Sequence, residues 1–543
     1  MKHIIYYLVI AILLISIPDP APAQKRSSGA DAITSADLEN HVSFLASPLL
    51  RGRMNGSPEL ETARQYIAAN AELIGLKPAN GTSYFQPYSV IQQKIDPEKT
   101  MIQIIPEGKD TITIKEPVYP LFPQGPADFT LDGEVVFAGY GLWNVKYGYN
   151  DFEDITTEDR ILIVMSRSPT SEDGQKYLFE GDDWSDPTSI LNKFRSLLFA
   201  KSKAVLFVMD PKSGYSSLEE AYPGISHELS SIKSLRGEES RTSGYPGAPR
   251  IMFVDRSVAD ELLKGTGTTL EELQIKIDKD LKPSSFTIPG KKLRITEAVT
   301  HEELILSNVA AYIEGSDPVL KNEFVVYSGH YDHIGTSGGI VNPGADDNAS
   351  GCAALLSIAK AFQSLEKKPL RSVLFLWVSG EELGLFGSKS YMKNPLVPLE
   401  KTVTDINMDM IGRVKEIADS TSATPVTGPD EVFVITGKQS RELLSIAEDV
   451  DRETTLDFDY SLSGRDHPLQ LFSRSDHYNF VIHDIPVLFF TTGLHSDYHS
   501  PGDVIGKIDF KKMELITRAM FRIGYIVADR KTRLKVNNPY SKW

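Results

Sequence analysis

The chain has 543 residues, of which 41% are hydrophobic and 24% charged, a composition typical of a globular protein with sizeable cores. Its 57 basic and 73 acidic residues give a net charge of −16, which argues against nucleic acid as a partner because phosphate binding requires a basic surface. The single cysteine, Cys352, excludes a disulfide framework and a cysteine-based metal cluster. Any bound metal must therefore be held by His, Asp and Glu, and we expect Cys352 to be a small core residue.

Residues 1–23 have the features of an export signal. Lys2 provides a positive start, residues 4–17 form an apolar run, and residues 21–23 (Ala-Pro-Ala) suit cleavage. A membrane anchor is the alternative, but this apolar run is short of the roughly 20 residues needed to cross a bilayer. We therefore expect a periplasmic or secreted protein with no stable membrane insertion after cleavage.

The next predicted elements are helices. Ser35 is a candidate N-cap for an amphipathic helix that continues through Leu45. A second helix is expected over residues 58–73, ending near Gly75.

From about residue 118 to residue 289 the pattern changes. Short β-rich runs at residues 133–139, 161–165 and 204–208 are separated by long polar loops rich in Gly, Pro and Ser. This stretch is predicted to form a domain of its own.

From Ser307 onward, apolar strands alternate with helical patterns, which is typical of an α/β fold with a parallel or mixed sheet covered by helices. Ionisable residues follow the ends of four strands, predicted at residues 323–328, 372–378, 404–408 and 485–490. A further acidic segment, residues 344–348, opens a predicted helix. In open α/β sheets ligands bind outside the carboxyl ends of the strands, so these segments should meet at one rim.

Two imidazoles and three carboxylates at this rim are candidate metal ligands: His330, Asp347, Glu382, Asp409 and His499. Such a set suits zinc, but five protein groups are too many for one catalytic zinc with an open position. They fit two metal ions about 3.5–4 Å apart if one carboxylate bridges, and such a pair can bind a shared hydroxide and polarise a substrate carbonyl.

Two further carboxylates have predicted roles beside the metals. Glu381 precedes Glu382 at a helix start, where adjacent side chains point in different directions, so Glu381 is a candidate general base. Asp332 is placed like a carboxylate that orients the imidazole of His330. His333, His477 and His495 also lie nearby in sequence, but we leave them outside the predicted metal shell.

Each of these features has a structural alternative when it is taken alone. An acidic pair can be a solvated helix start, a lone histidine can be a buried core residue, and residues 346–348 can simply cap a helix. Residues 335–339 match G-x-S-x-G, but no helix pattern follows directly, which argues against a serine hydrolase. The functional interpretation depends on the joint placement of the residues.

The sequence also resembles the di-zinc exopeptidases, a family that includes secreted bacterial leucyl aminopeptidases, aminopeptidases S and Y, and glutamate carboxypeptidase. Five segments carry the resemblance, in the family's order: residues 329–333 (GHYDH), 344–351 (GADDNASG), 380–384 (GEELG), 408–412 (MDMIG) and 497–501 (DYHSP). By position, the resemblance implies that His330 and Asp409 hold one zinc, that Glu382 and His499 hold the other, and that Asp347 bridges them. It also implies that Glu381 is the general base and that Asp332 is the partner of His330, whereas the segment 474–477 (RSDH) lies near the substrate.

The resemblance further implies a three-layer zinc-exopeptidase fold, with a mixed, mostly parallel sheet between helices. Residues 135–141 resemble the start of a protease-associated domain. The expected organisation is therefore an N-terminal part of the peptidase domain (30–115), a β-rich protease-associated insertion (116–290) and a catalytic zinc core (291–535).

The function expected from these features is that of an exported metallopeptidase with two Zn²⁺ per chain, acting as an aminopeptidase on peptide substrates through a metal-activated hydroxide. A carboxypeptidase or dipeptidase on the same core is an alternative, which would need basic side chains in the pocket. A non-catalytic, receptor-like binding protein is a further alternative that predicts no stoichiometric metal. The sequence does not specify the oligomeric state.

Overall fold

The computed structural model describes residues 28–120, 128–170, 190–223, 233–236, 249–337, 339–417, 419 and 425–542. The predicted export signal, residues 1–23, lies outside this part of the chain. The chain divides into two compact units. The first comprises the described residues up to Tyr88 and from Leu306 onward, and the second is Ser89–Ile305.

The α-helices of the described residues are α1 (Ser35–Leu45), α2 (Pro58–Ile74), α3 (Ile190–Phe199), α4 (Leu218–Ala221), α5 (Arg256–Leu263), α6 (Leu270–Asp280), α7 (Gly351–Ser364), α8 (Phe386–Lys393), α9 (Arg441–Arg452), α10 (His477–Val481) and α11 (Phe510–Ala528). The strands of the first half are β1 (Lys77–Pro78), β2 (Phe85–Ile95), β3 (Met101–Pro106), β4 (Ile112–Thr113), β5 (Tyr119–Pro120), β6 (Phe129–Phe137), β7 (Trp143–Asn144), β8 (Tyr149–Asn150), β9 (Ile161–Met165), β10 (Ala204–Val208), β11 (Lys233–Arg236) and β12 (Arg250–Phe253). The remaining strands are β13 (Phe286–Glu297), β14 (Val299–Ile313), β15 (Phe324–His330), β16 (Thr336–Ser337), β17 (Ile340–Val341), β18 (Ser372–Val378), β19 (Thr402–Met408), β20 (Glu431–Ile435), β21 (Asp457–Asp459) and β22 (Val487–Thr491).

The first unit is built on a mixed sheet in which the strands follow the order β14-β18-β15-β19-β22-β20-β21. The central strands β18, β15, β19 and β22 pair in parallel, so their carboxyl ends lie at one edge. β14 and β20 pair antiparallel with β18 and β22. The central strands are apolar over most of their length and buried on both faces, as expected for a sheet covered on both sides.

Helices cover both faces of this sheet. Buried side chains of α1, α2, α7, α9 and α11 share one hydrophobic core with one face, and those of α8 and α10 share another core with the opposite face. Neighbouring residues of β15 alternate between the two cores: Val325 and Tyr327 belong to the first and Val326 to the second. The predicted α/β fold, with a mixed sheet between helices, is confirmed.

The N-terminal helices begin and end at clear capping residues. The cap of α1 is Thr34 rather than the predicted Ser35, because the Thr34 hydroxyl accepts the backbone N–H of Asp37. Helix α2 starts at Pro58 and ends at Ile74, and its C-terminal cap is Gly75, whose φ of 88° suits a residue without a Cβ.

The second unit contains an eight-stranded sheet of order β4-β3-β13-β6-β9-β10-β12-β5, with α3 to α6 in the same unit. It starts at Ser89 and ends at Ile305, wider than the insertion expected over residues 116–290. The difference arises because β3 and β13, which flank that range, pair with one another in this sheet. Its assignment as a protease-associated domain stays a prediction. Among the described residues, no helix combines the length and apolarity needed to cross a membrane.

Candidate metal centre and active site

The parallel strands deliver the predicted site residues to one edge of the sheet. His330 is the last residue of β15, and Asp409 directly follows β19. Glu382 lies in the loop after β18, and His499 lies in the loop after β22. Asp347 lies in the turn that precedes α7. Their convergence follows from the strand order.

A first cluster forms around His330. Its Nε2 lies 3.3 Å from Asp347 Oδ1 and 3.3 Å from Asp409 Oδ1. The His330 and Asp347 side chains are buried, and that of Asp409 is 12% exposed. Three donor atoms thus face one point in a low-dielectric environment.

A second cluster forms around His499. Its Nε2 lies 3.1 Å from Asp347 Oδ2 and 2.8 Å from Glu382 Oε2. Asp347 therefore offers one carboxylate oxygen to each cluster. This is the arrangement that a bridging carboxylate requires.

The positions of the donor atoms suit coordination of metal ions better than hydrogen bonding between the side chains. Nε2 of His330, Nε2 of His499 and Oδ1 of Asp409 are buried but have no hydrogen bond of acceptable geometry. Two ligands of one tetrahedral zinc, with bonds of about 2.0–2.1 Å, lie about 3.3 Å apart, close to the spacings observed here. The set of imidazoles and carboxylates suits zinc, and both clusters can hold a metal ion.

The charges of the clusters also favour cations. Burial alone would lower the pKa of His330 and of His499, but the surrounding carboxylates, Asp409 for His330 and Asp347 with Glu382 for His499, outweigh it. The pKa of His330 is raised well above its usual value and that of His499 is raised to about 10. Conversely, burial would raise the pKa of Asp347, but the imidazoles hold it well below its usual range. The carboxylates of the two clusters therefore favour positive charge on His330 and His499, and a bound metal ion would displace such a proton.

His333 lies in the second cluster, although the sequence reasoning placed it outside the metal shell. Its Nδ1 lies 2.7 Å from Glu382 Oε1 and 3.7 Å from Asp347 Oδ2. The signal that could have located it is its position three residues after His330 in the same short loop. The sequence alone could not tell whether its ring turned toward the rim or into the core.

Glu381 lines the same cavity as Asp347 and Asp409. Burial, reinforced by the nearby carboxylates of Asp409 and Glu382, raises the pKa of Glu381 well above its usual value. Glu382, its neighbour, is held below its usual pKa by His333 and His499, despite burial and the Asp347 charge. Two adjacent glutamates are thus driven in opposite directions by their surroundings.

Asp332 contacts His330 differently from the prediction. The His330 Nδ1 lies 3.2 Å from the backbone carbonyl of Asp332 and 3.8 Å from its carboxylate. The carboxylate instead accepts the side-chain amide of Asn55 at 2.6 Å and, at 3.3 and 3.4 Å, the backbone N–H groups of Glu381 and Glu382. Asp332 therefore orients the loop that carries both glutamates, and its backbone rather than its carboxylate orients the imidazole.

A buried arginine holds the loops of the first cluster in place. The Arg53 guanidinium, in a residue only 1% exposed, donates to the backbone carbonyls of Leu45, Tyr331, Pro343, Gly344 and Asp347. Because both loops are tied to one rigid planar group, His330 and Asp347 keep their separation.

The cavity beside the clusters has an apolar wall and one cationic side chain among its described lining residues. The apolar members are Met410, Leu471, Phe489, Leu494 and Tyr498. Arg474 and Ser475 also line it, whereas Asp476 and His477 of the same segment are buried. Tyr498 stacks on His499 with ring centroids 3.8 Å apart, and Arg474 donates to the Tyr498 hydroxyl at 3.3 Å.

The other residues that the sequence singled out lie outside the clusters. Cys352 is a buried core residue whose thiol donates to the carbonyl of His330. His477 stacks on Phe489, and His495 lies beside Asp346 at 3.5 Å.

Comparison with known proteins shows what the residues of this site are similar to. Residues 308–523 match the sequence profile of peptidase family M28. Aminopeptidase NAALADL1 of Mus musculus is 30% identical over 189 residues, which are 33% of this chain and 24% of that protein. Leucine aminopeptidase 1 of Trichophyton equinum is 26% identical over 265 residues, 47% of this chain and 65% of that protein. The chain thus spans less than two thirds of the length of these curated relatives.

The fold has a counterpart among solved structures. An aminopeptidase from Aneurinibacillus sp. strain AM-1 aligns over 94% of this chain and 97% of its own, with a TM-score of 0.51 and 17% sequence identity. The family match covers the residues of both clusters, from His330 to His499. Residues 308–523 of this chain are therefore similar in sequence to peptidase family M28.

Proposed function

We propose that the protein is a two-metal exopeptidase that removes N-terminal residues from peptides. The observation that carries the proposal is the position of Asp347, which offers one oxygen to each of two metal-binding clusters. His330 and Asp409 would complete one metal position, and Glu382 and His499 would complete the other. When bound, the two metal ions would supply Lewis acidity for the scissile carbonyl and lower the pKa of a water molecule.

Glu381 would move the proton during hydrolysis. It lies in the cavity with the clusters, and its raised pKa makes it a better proton acceptor than an ordinary glutamate. In the proposed role, its carboxylate takes a proton from the attacking water and then donates it to the leaving amine. Asp332, through the backbone N–H groups of Glu381 and Glu382, would hold that carboxylate in position.

The cavity favours a substrate with a free α-amino group. The carboxylate groups of Glu381 and Asp409 line the cavity and can accept hydrogen bonds from an amino group, and its apolar wall can accept an apolar side chain. The named relatives are themselves aminopeptidases. We therefore place the substrate's amino end, rather than its carboxyl end, at this site.

Arg474 supports a carboxypeptidase or dipeptidase as the second candidate. Its guanidinium could bind a substrate carboxylate, as a carboxypeptidase or dipeptidase requires. The experiment compares leucyl-p-nitroanilide and free-amino peptides with N-acetylated peptides that keep a free carboxylate. We expect cleavage of leucyl-p-nitroanilide and the free-amino peptides only. A chelator should abolish this cleavage. Preferential cleavage of the acetylated peptides, reduced in Arg474→Met, would instead establish the second candidate.

A further inference from the structure

The second cluster contains one more donor than the proposed mechanism uses. The donor atoms of His333, Asp347, Glu382 and His499 all lie within 4.8 Å of one another. The Glu382 carboxylate faces an imidazole with each oxygen: Oε1 lies 2.7 Å from His333 Nδ1, and Oε2 lies 2.8 Å from His499 Nε2. Within the described part of the chain, the first cluster has three such donors, from His330, Asp347 and Asp409.

The ring of His333 is held in this orientation by its surroundings. Its side chain is fully buried, and its backbone N–H donates to the carbonyl of Arg53 at 3.1 Å. Gly344 has a φ of 60°, and a Cβ at this position would lie 2.5 Å from the His333 ring. The ring therefore packs closely against the backbone of Gly344, where a side chain would collide with it.

The chemistry of the ring suits a metal ligand. Nδ1 is the ring nitrogen that faces the carboxylates of Glu382 and Asp347. If Nδ1 binds a metal through its lone pair, the ring proton lies on Nε2. An imidazole nitrogen next to two carboxylate oxygens and a second imidazole is a donor set that zinc, cobalt or nickel accepts, and zinc sites can expand to five ligands.

We propose that His333 is an additional ligand of the second metal position, which is then held by four protein donors, whereas the first is held by three. The inference rests on the proposed two-metal site. The additional ligand makes the metal affinities of the two positions unequal. The second position binds a borderline transition metal more tightly and fills first, and the first exchanges its metal more readily.

The test uses the full-length protein stripped of metal and titrated with Zn²⁺ by calorimetry. The wild-type protein should show two unequal affinities. In His333→Ala the tighter affinity should fall at least tenfold while the weaker one stays unchanged. His483→Ala is the matched control, because His483 is an exposed histidine bonded to the Asn479 carbonyl of the same unit. Identical affinities for the wild-type and His333→Ala proteins would overturn the inference.

A spectroscopic measurement separates ligation from indirect positioning. X-ray absorption of protein loaded with one equivalent of zinc should detect two imidazoles on the metal in the wild-type protein and one in His333→Ala. One imidazole in both proteins would overturn the proposed ligand, even if the affinity changed, because a hydrogen bond to Glu382 would account for that result. If the wild-type protein binds no stoichiometric metal, the proposed function itself fails, which is a distinguishable outcome.

Discussion

At the scale of single residues, two adjacent glutamates receive opposite roles from their neighbours. Glu382 faces two imidazoles, which keep it ionised and available to a metal, whereas Glu381 is buried near carboxylates that favour its protonated form. The proposed roles are divided accordingly, with Glu382 as a metal ligand and Glu381 as the group that accepts a proton.

Substitution of Glu381 tests that division directly. We expect Glu381→Gln to lower kcat by about 10²- to 10⁴-fold, the range typical of losing a general base, while the protein keeps its metal. Peptide hydrolysis rates and metal analysis on the same samples provide the measurement. Near-wild-type turnover would remove Glu381 from the mechanism.

The buried His477 gives a prediction for the stability of the metal-free protein. Burial lowers the pKa of His477 to about 3, so the folded state keeps it neutral while the unfolded state, with a pKa near 6.5, takes up a proton. Since the unfolded state binds the extra proton, stability falls as the pH drops from about 6.5 towards 3, at about 1.4 kcal/mol per pH unit for this group. In His477→Gln, whose amide can still donate to the Phe472 carbonyl, that part of the acid dependence should vanish.

Denaturant unfolding over about pH 4 to 8 measures the free energy of unfolding of the wild-type protein and of His477→Gln. The free energy of unfolding of the variant, relative to the wild-type protein, should rise steadily as the pH falls below about 6. Parallel curves for the two proteins would contradict a neutral buried His477.

The sequence predicted the positions of the proposed metal ligands better than the orientations of their neighbours. His330 and Asp409 could be placed because each ends an apolar strand, and parallel strands end at one edge. The directions of side chains within loops are not encoded in any periodic pattern. For that reason His333 was left out, and the carboxylate of Asp332 was assigned to His330 although it holds the backbone of the neighbouring loop.

At the scale of elements, the turn before α7 determines where the shared carboxylate lies. Gly344 has a φ of 60°, and a Cβ there would lie 2.2 Å from the Asp347 carbonyl and 2.5 Å from the His333 ring. The backbone N–H groups of Asp346 and Asp347 are in turn bound by the buried carboxylate of Asp503 at 3.0 to 3.1 Å. The sequence predicted a helix opening here, and the helix itself starts only at Gly351.

Gly344→Ala should therefore disrupt both clusters. We expect it to bind less metal and to unfold at a markedly lower temperature than Gly339→Ala. Gly339 is the matched control, because it also has a positive φ, 78°, but a Cβ there would meet nothing within 4 Å. The control should lose only about 1–2 kcal/mol, the cost of a left-handed conformation for alanine. Equal losses in the two variants would show that crowding at Gly344 is unimportant.

At the scale of the whole molecule, the fold class could be read from alternating strand and helix patterns, but the boundaries of the two units could not. The second unit spans Ser89–Ile305, and the insertion expected over residues 116–290 lies within it. The boundaries fall within strands β2 and β14, so no Gly-, Pro- or Ser-rich linker marks the change in the sequence.

Metal binding should contribute measurably to the stability of the folded chain. A ligand that binds only the native state at about 1,000 times its Kd adds about 4 kcal/mol to the free energy of unfolding. We therefore expect removal of metal with a chelator to lower the Tm and the return of Zn²⁺ to restore it. Asp347→Asn loses a charge shared by both clusters, so its Tm should change much less when metal is removed. A Tm that does not respond to chelation in the wild-type protein would contradict a metal-bound native state.

The most direct measurement is a crystal structure of the zinc-loaded protein with anomalous data collected at the zinc edge. The account predicts two anomalous peaks about 3.5–4 Å apart, with the Asp347 carboxylate between them. One peak should lie beside His330 and Asp409, and the other beside Glu382 and His499. A single peak, or peaks away from Asp347, would contradict the two-metal site on which the proposed peptidase activity depends.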